Sequence, residues 1–247
     1  MKSLLKMTWM EAKLFLREPM GAFFTLAFPL MMLFLFGSIY GNEPTAMFGG
    51  HGTIDVSIPA YTAMIIATSG LMSITITMAA YRENGVLRRL RTTPISPFII
   101  LTAQVIVIFT MTCLGMLLLI VAGMLVYHIR FEGNALSVLG GFVLSSLSFF
   151  ALGFVLAGLM PTARTAQVVG MVILYPMLFL SGAGFPRELL PEAIKKVSAF
   201  LPLTYVVNLL RGLWIGDPWS MHWLNVGVLA GMLLLGAIVS SKTFRWE

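Results

Sequence analysis

The sequence predicts an all-α integral membrane protein with six transmembrane helices and both termini on the cytoplasmic side. Three observations carry that reading. The 247 residues are 58% hydrophobic and 11% charged, with a mean hydropathy of +0.92, whereas a soluble domain carries about 25% charged residues. Six apolar runs, at about 21–40, 58–80, 98–127, 136–160, 166–184 and 219–241, contain no Asp, Glu, Lys or Arg, and each is near the roughly 20 residues that a membrane helix needs. With both ends inside, eleven of the sixteen Lys and Arg fall on cytoplasmic segments and five on external ones. That is the asymmetry of retained positive charge, and the opposite orientation inverts it. The net charge of +6 could suit nucleic acid, but the basic residues sit at span ends, where they set orientation. No nucleic-acid partner is expected. The chain reads as one membrane domain over 1–247.

Residues 1–19 read as an amphipathic interface helix. Lys2, Lys6, Lys13 and Arg17 fall within about 60° of one another at roughly 100° per residue, and Leu5, Trp9, Ala12 and Leu16 form an adjacent apolar stripe. A basic stripe beside an apolar one containing Trp suits a cytoplasmic membrane surface; a solvated stem fits the same pattern. Arg17-Glu18-Pro19 turns the chain into span one, where Pro29 is tolerable. No small-x-small site follows the first run, so a cleaved signal is not expected. Residues 41–57 form a Gly-rich external loop with Glu43, His51 and Asp55. In span two, Thr62, Ser69, Ser73 and Thr77 repeat along one face, for helix packing or for contact with cargo.

Residues 81–97, YRENGVLRRLRTTPISP, interrupt the apolar pattern with Arg82, Arg88, Arg89 and Arg91 against one acid, Glu83. Val86, Leu87 and Leu90 lie at helical spacing, and Pro94 and Pro97 end the segment. Composition alone fits an ordinary basic cytoplasmic loop. The apolar face on a basic helix also fits a docking element for a soluble partner. Span three, at 98–127, is longer than needed and therefore tilted or protruding. In span four, Gly141, Ser145, Gly153 and Ala157 lie on an i+4 ladder that reads as close helix contact. Pro161–Thr165 is a tight cytoplasmic turn, and span five contains Pro176. Residues 185–218 are too polar to span yet rich in apolar residues. Pro186, Pro191 and Pro202 suit first turns of helices, giving short helices near 191–200 and 203–212. Trp219 and Trp223 open span six at an interface. The single cysteine, Cys113, lies inside span three and reads as a small buried residue.

Tyr81-Arg82-Glu83-Asn84-Gly85, followed by Leu87-Arg88-Arg89-Leu90-Arg91-Thr92-Thr93-Pro94, resembles the cytoplasmic loop of ABC-2 type transporter permeases. These are the membrane subunits of ABC exporters of drugs, antibiotics and lipo-oligosaccharides. A second match lies after span five: Leu180, Ser181, Gly182, Phe185 and Pro186, then Pro202, Leu203, Thr204, Tyr205 and Arg211, resemble the runs that flank the family's re-entrant pair of short external helices. The resemblance covers essentially the whole chain. It implies that Arg82, Glu83, Gly85, Val86, Leu87, Arg88, Arg89, Leu90 and Arg91 form the coupling helix. Its partners are then a cytoplasmic P-loop ATPase in two copies, which holds the ATP and Mg²⁺, and a second permease copy or a paralogue.

The chemistry missing from the sequence agrees. No Gly-Lys-Ser/Thr occurs, so no P-loop is present. His51, His128 and His222 match no metal spacing, and no catalytic constellation can be defended, so neither metal nor catalytic residues are expected. Proton- and ion-coupled carriers place ionisable groups at mid-membrane, and these spans have none. A transporter without its own energy source borrows one through a partner, and the basic loop is where the partner acts. Three functions follow in order: a permease subunit exporting an amphipathic, drug-like, antibiotic or lipid-like cargo across the cytoplasmic membrane of a prokaryote; a polysaccharide, teichoic-acid or lipo-oligosaccharide exporter permease; and a membrane scaffold or intramembrane enzyme.

Overall fold

The computed structural model describes residues 2–17, 19–86 and 97–243. Helix Lys2–Arg17 precedes six long apolar helices: span one, Phe23–Tyr40; span two, Thr53–Glu83; span three, Pro97–Tyr127; span four, Ala135–Leu159; span five, Ala163–Leu180; and span six, Trp219–Lys242. Two short helices, Glu192–Ser198 and Pro202–Ile215, stand between spans five and six, bent 99° to one another. Among the described residues there is no β-strand longer than one isolated bridge.

Span two is the centre of the bundle. Every residue from Thr53 to Thr68 is buried, and spans one, three, four and five and helix Pro202–Ile215 pack around it. This explains its sequence. A helix enclosed on all sides has no polar face, and its Thr and Ser hydroxyls must find partners inside. Ser57, Thr62 and Thr68 return theirs to the carbonyls of Thr53, Ile58 and Met64, and Ser69 meets the Thr112 hydroxyl of span three at 3.0 Å. Spans one, three, five and six instead turn large side chains outward, such as Phe34, Leu117, Val172 and Leu235, the pattern of lipid-facing helices.

Span two widens at Ser69–Ile74 into a π-helical turn, a feature that often marks functional positions in helices. Spans four and five come against it backbone to backbone. A Cβ on Gly70 falls 2.5 Å from the Phe149 carbonyl oxygen, a Cβ on Gly153 overlaps the Gly70 carbonyl oxygen, and a Cβ on Gly170 falls 2.8 Å from the Leu71 carbonyl oxygen. The Thr75 hydroxyl donates to the Gly153 carbonyl at 3.2 Å, across the contact. Of the small-residue ladder in span four, Gly153 packs here, while Gly141 packs against Leu213, Leu209 and Leu210 of helix Pro202–Ile215. Ser148 ties span four to span six through the Leu229 carbonyl at 2.8 Å.

Span two begins five residues earlier than the hydropathy reading places it, at Thr53 rather than Ile58. The reason is Asp55, a charge that reads as loop but serves as a cap. It is 1% exposed. Its carboxylate accepts from the Gly52 N–H (3.1 Å), the Arg130 N–H (2.8 Å) and the Asn42 amide (3.0 Å). Asn42 in turn caps the N–H groups of Ile54 and Asp55. An anion in the first turn of a helix is favoured by the helix dipole. The pair locks the first loop to the ends of spans two and three. Asp55→Ala orphans these donors, and an unsatisfied buried donor costs about 1–3 kcal/mol. A fall in melting temperature of about 5 °C or more is therefore expected in detergent, at about 2–4 °C per kcal/mol; an unchanged midpoint contradicts the capping role.

The N-terminal helix packs on the bundle through a face other than its Leu5–Trp9 stripe. Leu5 and Trp9 are 69% and 65% exposed, while Glu11 and Phe15 are buried and Met7 joins the cluster around Ile74, Ile100 and Phe150. Met7, Glu11 and Phe15, spaced four apart, therefore form the inner face, against span three. The Leu5–Trp9 stripe faces away from the bundle, where a membrane surface can take it. The side chain of Leu16 lies outside the described residues.

Candidate coupling site and cavities

Span two runs on to Glu83, past the Ala80 limit expected from hydropathy. It closes with Asn84 donating to the Ala80 carbonyl (2.9 Å) and Gly85 to the Arg82 carbonyl (3.0 Å). Gly85 has φ +64°, with nothing within 4 Å of where a Cβ would stand. Glycine is required there by backbone conformation and not by space. Val86 follows. Leu87, Arg88, Arg89, Leu90 and Arg91 lie outside the described residues.

The last three residues of this helix each reach a different element. Tyr81 donates its hydroxyl to the Glu11 carboxylate of the N-terminal helix, at 2.6 and 2.7 Å from its two oxygens. Arg82 donates through Nη1 to the Gly158 carbonyl at the end of span four (3.0 Å). Glu83 accepts, through Oε2, the Ala163 N–H at the start of span five (2.8 Å). Each charge sits where helix dipoles favour it, the cation on a C-terminus and the anion on an N-terminus. Thr162, whose hydroxyl accepts from the Thr165 N–H, completes the cap of span five. The loop's first residues thus grip both sides of the turn between spans four and five, and the N-terminal helix as well. Glu83 is exposed, but its carboxylate is already bonded within the chain.

Glu11 was the residue that sequence reasoning passed over. Its signal was available, since it lies at the i+4 position between Met7 and Phe15, on the side of the helix away from the lysines. Burial pushes its carboxyl above the ordinary 4.5, with the Tyr81 hydrogen bond partly offsetting the shift. A carboxyl whose folded pKa is raised holds its proton more tightly when folded, so stability falls as pH rises from the unfolded value through the folded one. Glu11→Gln keeps an acceptor for Tyr81 and removes the cost of burying a charge. The variant is expected to melt at or above the wild-type temperature at pH 7 and to lose the wild type's decline in stability above pH 4.5; a parallel decline in both removes Glu11 as its source.

The second predicted group comes together in the segment after span five. Phe185 packs edge-on to Phe36 of span one at 6.2 Å. Pro202 opens helix Pro202–Ile215 in its first turn. Leu203 is fully buried, and Thr204 and Tyr205 donate to the carbonyls of Ser198 and Ala199 (2.6 and 2.7 Å), fixing the 99° corner. Arg211 pairs with Glu188 and lies over the Phe48 ring at 5.8 Å. Pro186 and Arg211 line a cavity of about 540 Å³ between this segment, the C-terminal end of span one and the N-terminal end of span two.

A smaller cavity, about 180 Å³, lies nearer the coupling end among spans one, two and five. Its walls are apolar and polarisable, with Phe24, Phe28, Met64, Met72, Met171 and Tyr175. Ser73, from the hydroxyl face of span two, has its Oγ buried there without a hydrogen-bond partner. Among the described residues no group of His, Cys, Asp or Glu could hold a metal ion. His222 instead lies between Asp217 (3.2 Å) and Asn225 (3.0 Å).

The ABC-2 type transporter family matches residues 2–214. The chain is similar to the putative transport permease ycf38 of Porphyra purpurea, 26% identical over 232 residues, which are 87% of this chain and 75% of that protein. It is 35% identical over 102 residues to nodulation protein J of Rhizobium leguminosarum bv. viciae, covering 41% of this chain and 39% of that protein. It is 23% identical over 172 residues to YbhR of Escherichia coli (strain K12), a probable multidrug ABC transporter permease, covering 67% of this chain and 46% of that protein. The chain thus spans about two fifths of nodulation protein J and under half of YbhR. With six apolar helices it is a multi-pass membrane protein, and the family match runs from the N-terminal helix to the end of helix Pro202–Ile215. This chain belongs to the ABC-2 type transporter family.

Proposed function

We propose that this chain is the permease subunit of an ABC exporter in the cytoplasmic membrane of a prokaryote, a single membrane domain with both termini inside. It moves an amphipathic, drug-like or lipid-like cargo and is powered by a separate P-loop ATPase in two copies, beside a second permease copy or a paralogue. ATP and Mg²⁺ are held on the ATPase. The observation that carries the reading is the end of span two, where Tyr81, Arg82 and Glu83 bind three other elements next to the basic segment 86–91. A push on that segment reaches the N-terminal helix and spans two, four and five together. The kinship with a relative named as a probable multidrug permease and the apolar walls of the inner cavity support an amphipathic cargo over a polyhydroxylated chain.

Among the described residues, the middle of every span is free of Asp, Glu, Lys and Arg; Asp55, Arg82, Glu83 and Arg164 all stand at helix ends. A borrowed energy source fits that arrangement better than ion coupling. Co-expression with P-loop ATPases from the same genome tests the assignment. A complex that survives purification and hydrolyses ATP in nanodiscs, faster in the presence of a transported amphiphile, is the expected result. Failure to form a complex with any of them returns the chain to the scaffold or enzyme reading.

A further inference from the structure

We propose that the 540 Å³ cavity beneath the two short helices binds an anionic amphiphile whose headgroup carries a phosphate and free hydroxyls. The inference rests on the exporter reading for its role, a release site on the cargo's outward path, and adds the chemical class of what passes. The volume is within the about 300–1,000 Å³ of small-ligand sites.

The cavity is two-sided. Its floor is apolar, formed by Phe36, Phe48, Val56, Ala60 and Val207. Its rim carries Arg187, Lys195 and Arg211 against Glu188, an excess of two positive charges. Arg211 is committed to Glu188 and to the Phe48 face. Arg187 is not fully committed. Its Nη2 makes one long bond, 3.4 Å, to the Lys195 carbonyl, and its Nε is buried with no acceptor. The second oxygen of Glu188, Oε2, is likewise buried with no donor. Buried polar atoms of this kind are costly, and a ligand with matching groups satisfies them. An orphaned guanidinium donor asks for an anion, and guanidinium geometry suits phosphate. An orphaned carboxylate oxygen a residue away repels a bare anion and asks for a hydroxyl donor. A phosphate ester with a glycerol- or sugar-like headgroup meets both needs, and its hydrocarbon covers the floor. Lys195, bonded to the exposed Glu192 at 2.8 Å, adds positive charge at the mouth.

The test uses the full chain purified in neutral detergent and titrated with lysophosphatidylglycerol, read by native mass spectrometry against lysophosphatidylcholine. Binding of the anionic lipid about tenfold tighter than the zwitterionic one is expected. Arg187→Met, a change at the rim, should remove that preference and leave residual binding, whereas Ala60→Trp, which fills the floor, should abolish both. Equal affinity for the two lipids, or a preference unchanged by Arg187→Met, overturns the proposal. So does displacement by inorganic phosphate alone, which makes this a free-anion site, or a change of oligomeric state with Ala60→Trp in a chain that takes no lipid, which gives the cavity to a second copy. Neither variant touches residues 81–91, so ATPase complex formation reports separately on the exporter assignment. A complex without lipid binding sinks the site alone, and lipid binding without a complex sinks its role in export.

Discussion

Glu83→Ala and Gly85→Pro are expected to reduce ATP-driven transport while leaving the amount of protein in the membrane unchanged. The two act on the same joint by different means. Glu83→Ala removes the acceptor for the Ala163 N–H at the start of span five. A helix-end charge is worth about 0.3–1 kcal/mol at an exposed site, so global stability barely moves. The same energy, lost from only one of two transport states, changes the rate by about twofold to fivefold. Gly85→Pro acts harder. Proline cannot adopt φ +64° and has no N–H to give the Arg82 carbonyl. On the proposed coupling, the chain then leaves span two at a different angle, and residues 86–91 no longer meet the ATPase in register. A loss of tenfold or more is expected. Transport assayed in proteoliposomes decides the matter, with membrane content measured on the same samples. Unchanged transport in both variants takes this joint out of the mechanism.

Gly153→Leu is expected to give no stable folded protein. The spans meet there backbone to backbone, since even a Cβ at 153 overlaps the Gly70 carbonyl oxygen. No rotamer relieves a Cβ clash with backbone. Span two must move off span four, and the Thr75–Gly153 hydrogen bond goes with it. Overpacking usually costs about 1–3 kcal/mol, and more where the neighbour cannot yield. Gly227→Leu is the control, because nothing lies within 4 Å of a Cβ at 227 on the exposed side of span six. Size-exclusion profiles of fluorescently tagged variants should show aggregate for the first and a wild-type peak for the second. A wild-type peak for Gly153→Leu contradicts the close approach of spans two and four.

The two variants also mark what a sequence can and cannot convey. Hydropathy located all six helices, because lipid imposes one requirement, apolar length, that every span must satisfy alone. The Gly141–Gly153 ladder was legible for a similar reason: small residues at helical spacing have few other uses in a membrane. The corner at Pro202–Tyr205 was legible through its prolines. Asp55, Tyr81, Arg82 and Glu83 were read as loop, since a polar or charged side chain signals water when taken alone. Their partners (Arg130, Glu11, Gly158 and Ala163) lie about seventy to eighty positions away, and no local pattern records them. The π-helical turn at Ser69–Ile74 was invisible because its residues differ little from those of any apolar helix. Of the predicted coupling residues, Arg82 and Glu83 bind within the chain. Glu83 ties the end of span two to the start of span five.

The most direct test of the central claim, that this basic segment couples the spans to an ATPase, is ATP hydrolysis by the co-purified complex in nanodiscs with Arg88 and Arg89 both replaced by Glu. The account predicts that the wild-type complex is stable and that charge reversal dissociates it or lowers transport-linked hydrolysis at least about tenfold. The same variant should keep its place in the membrane, because in the proposed orientation eleven Lys and Arg fall inside against five outside, which leaves a margin. Full activity and an intact complex after both reversals would contradict the account.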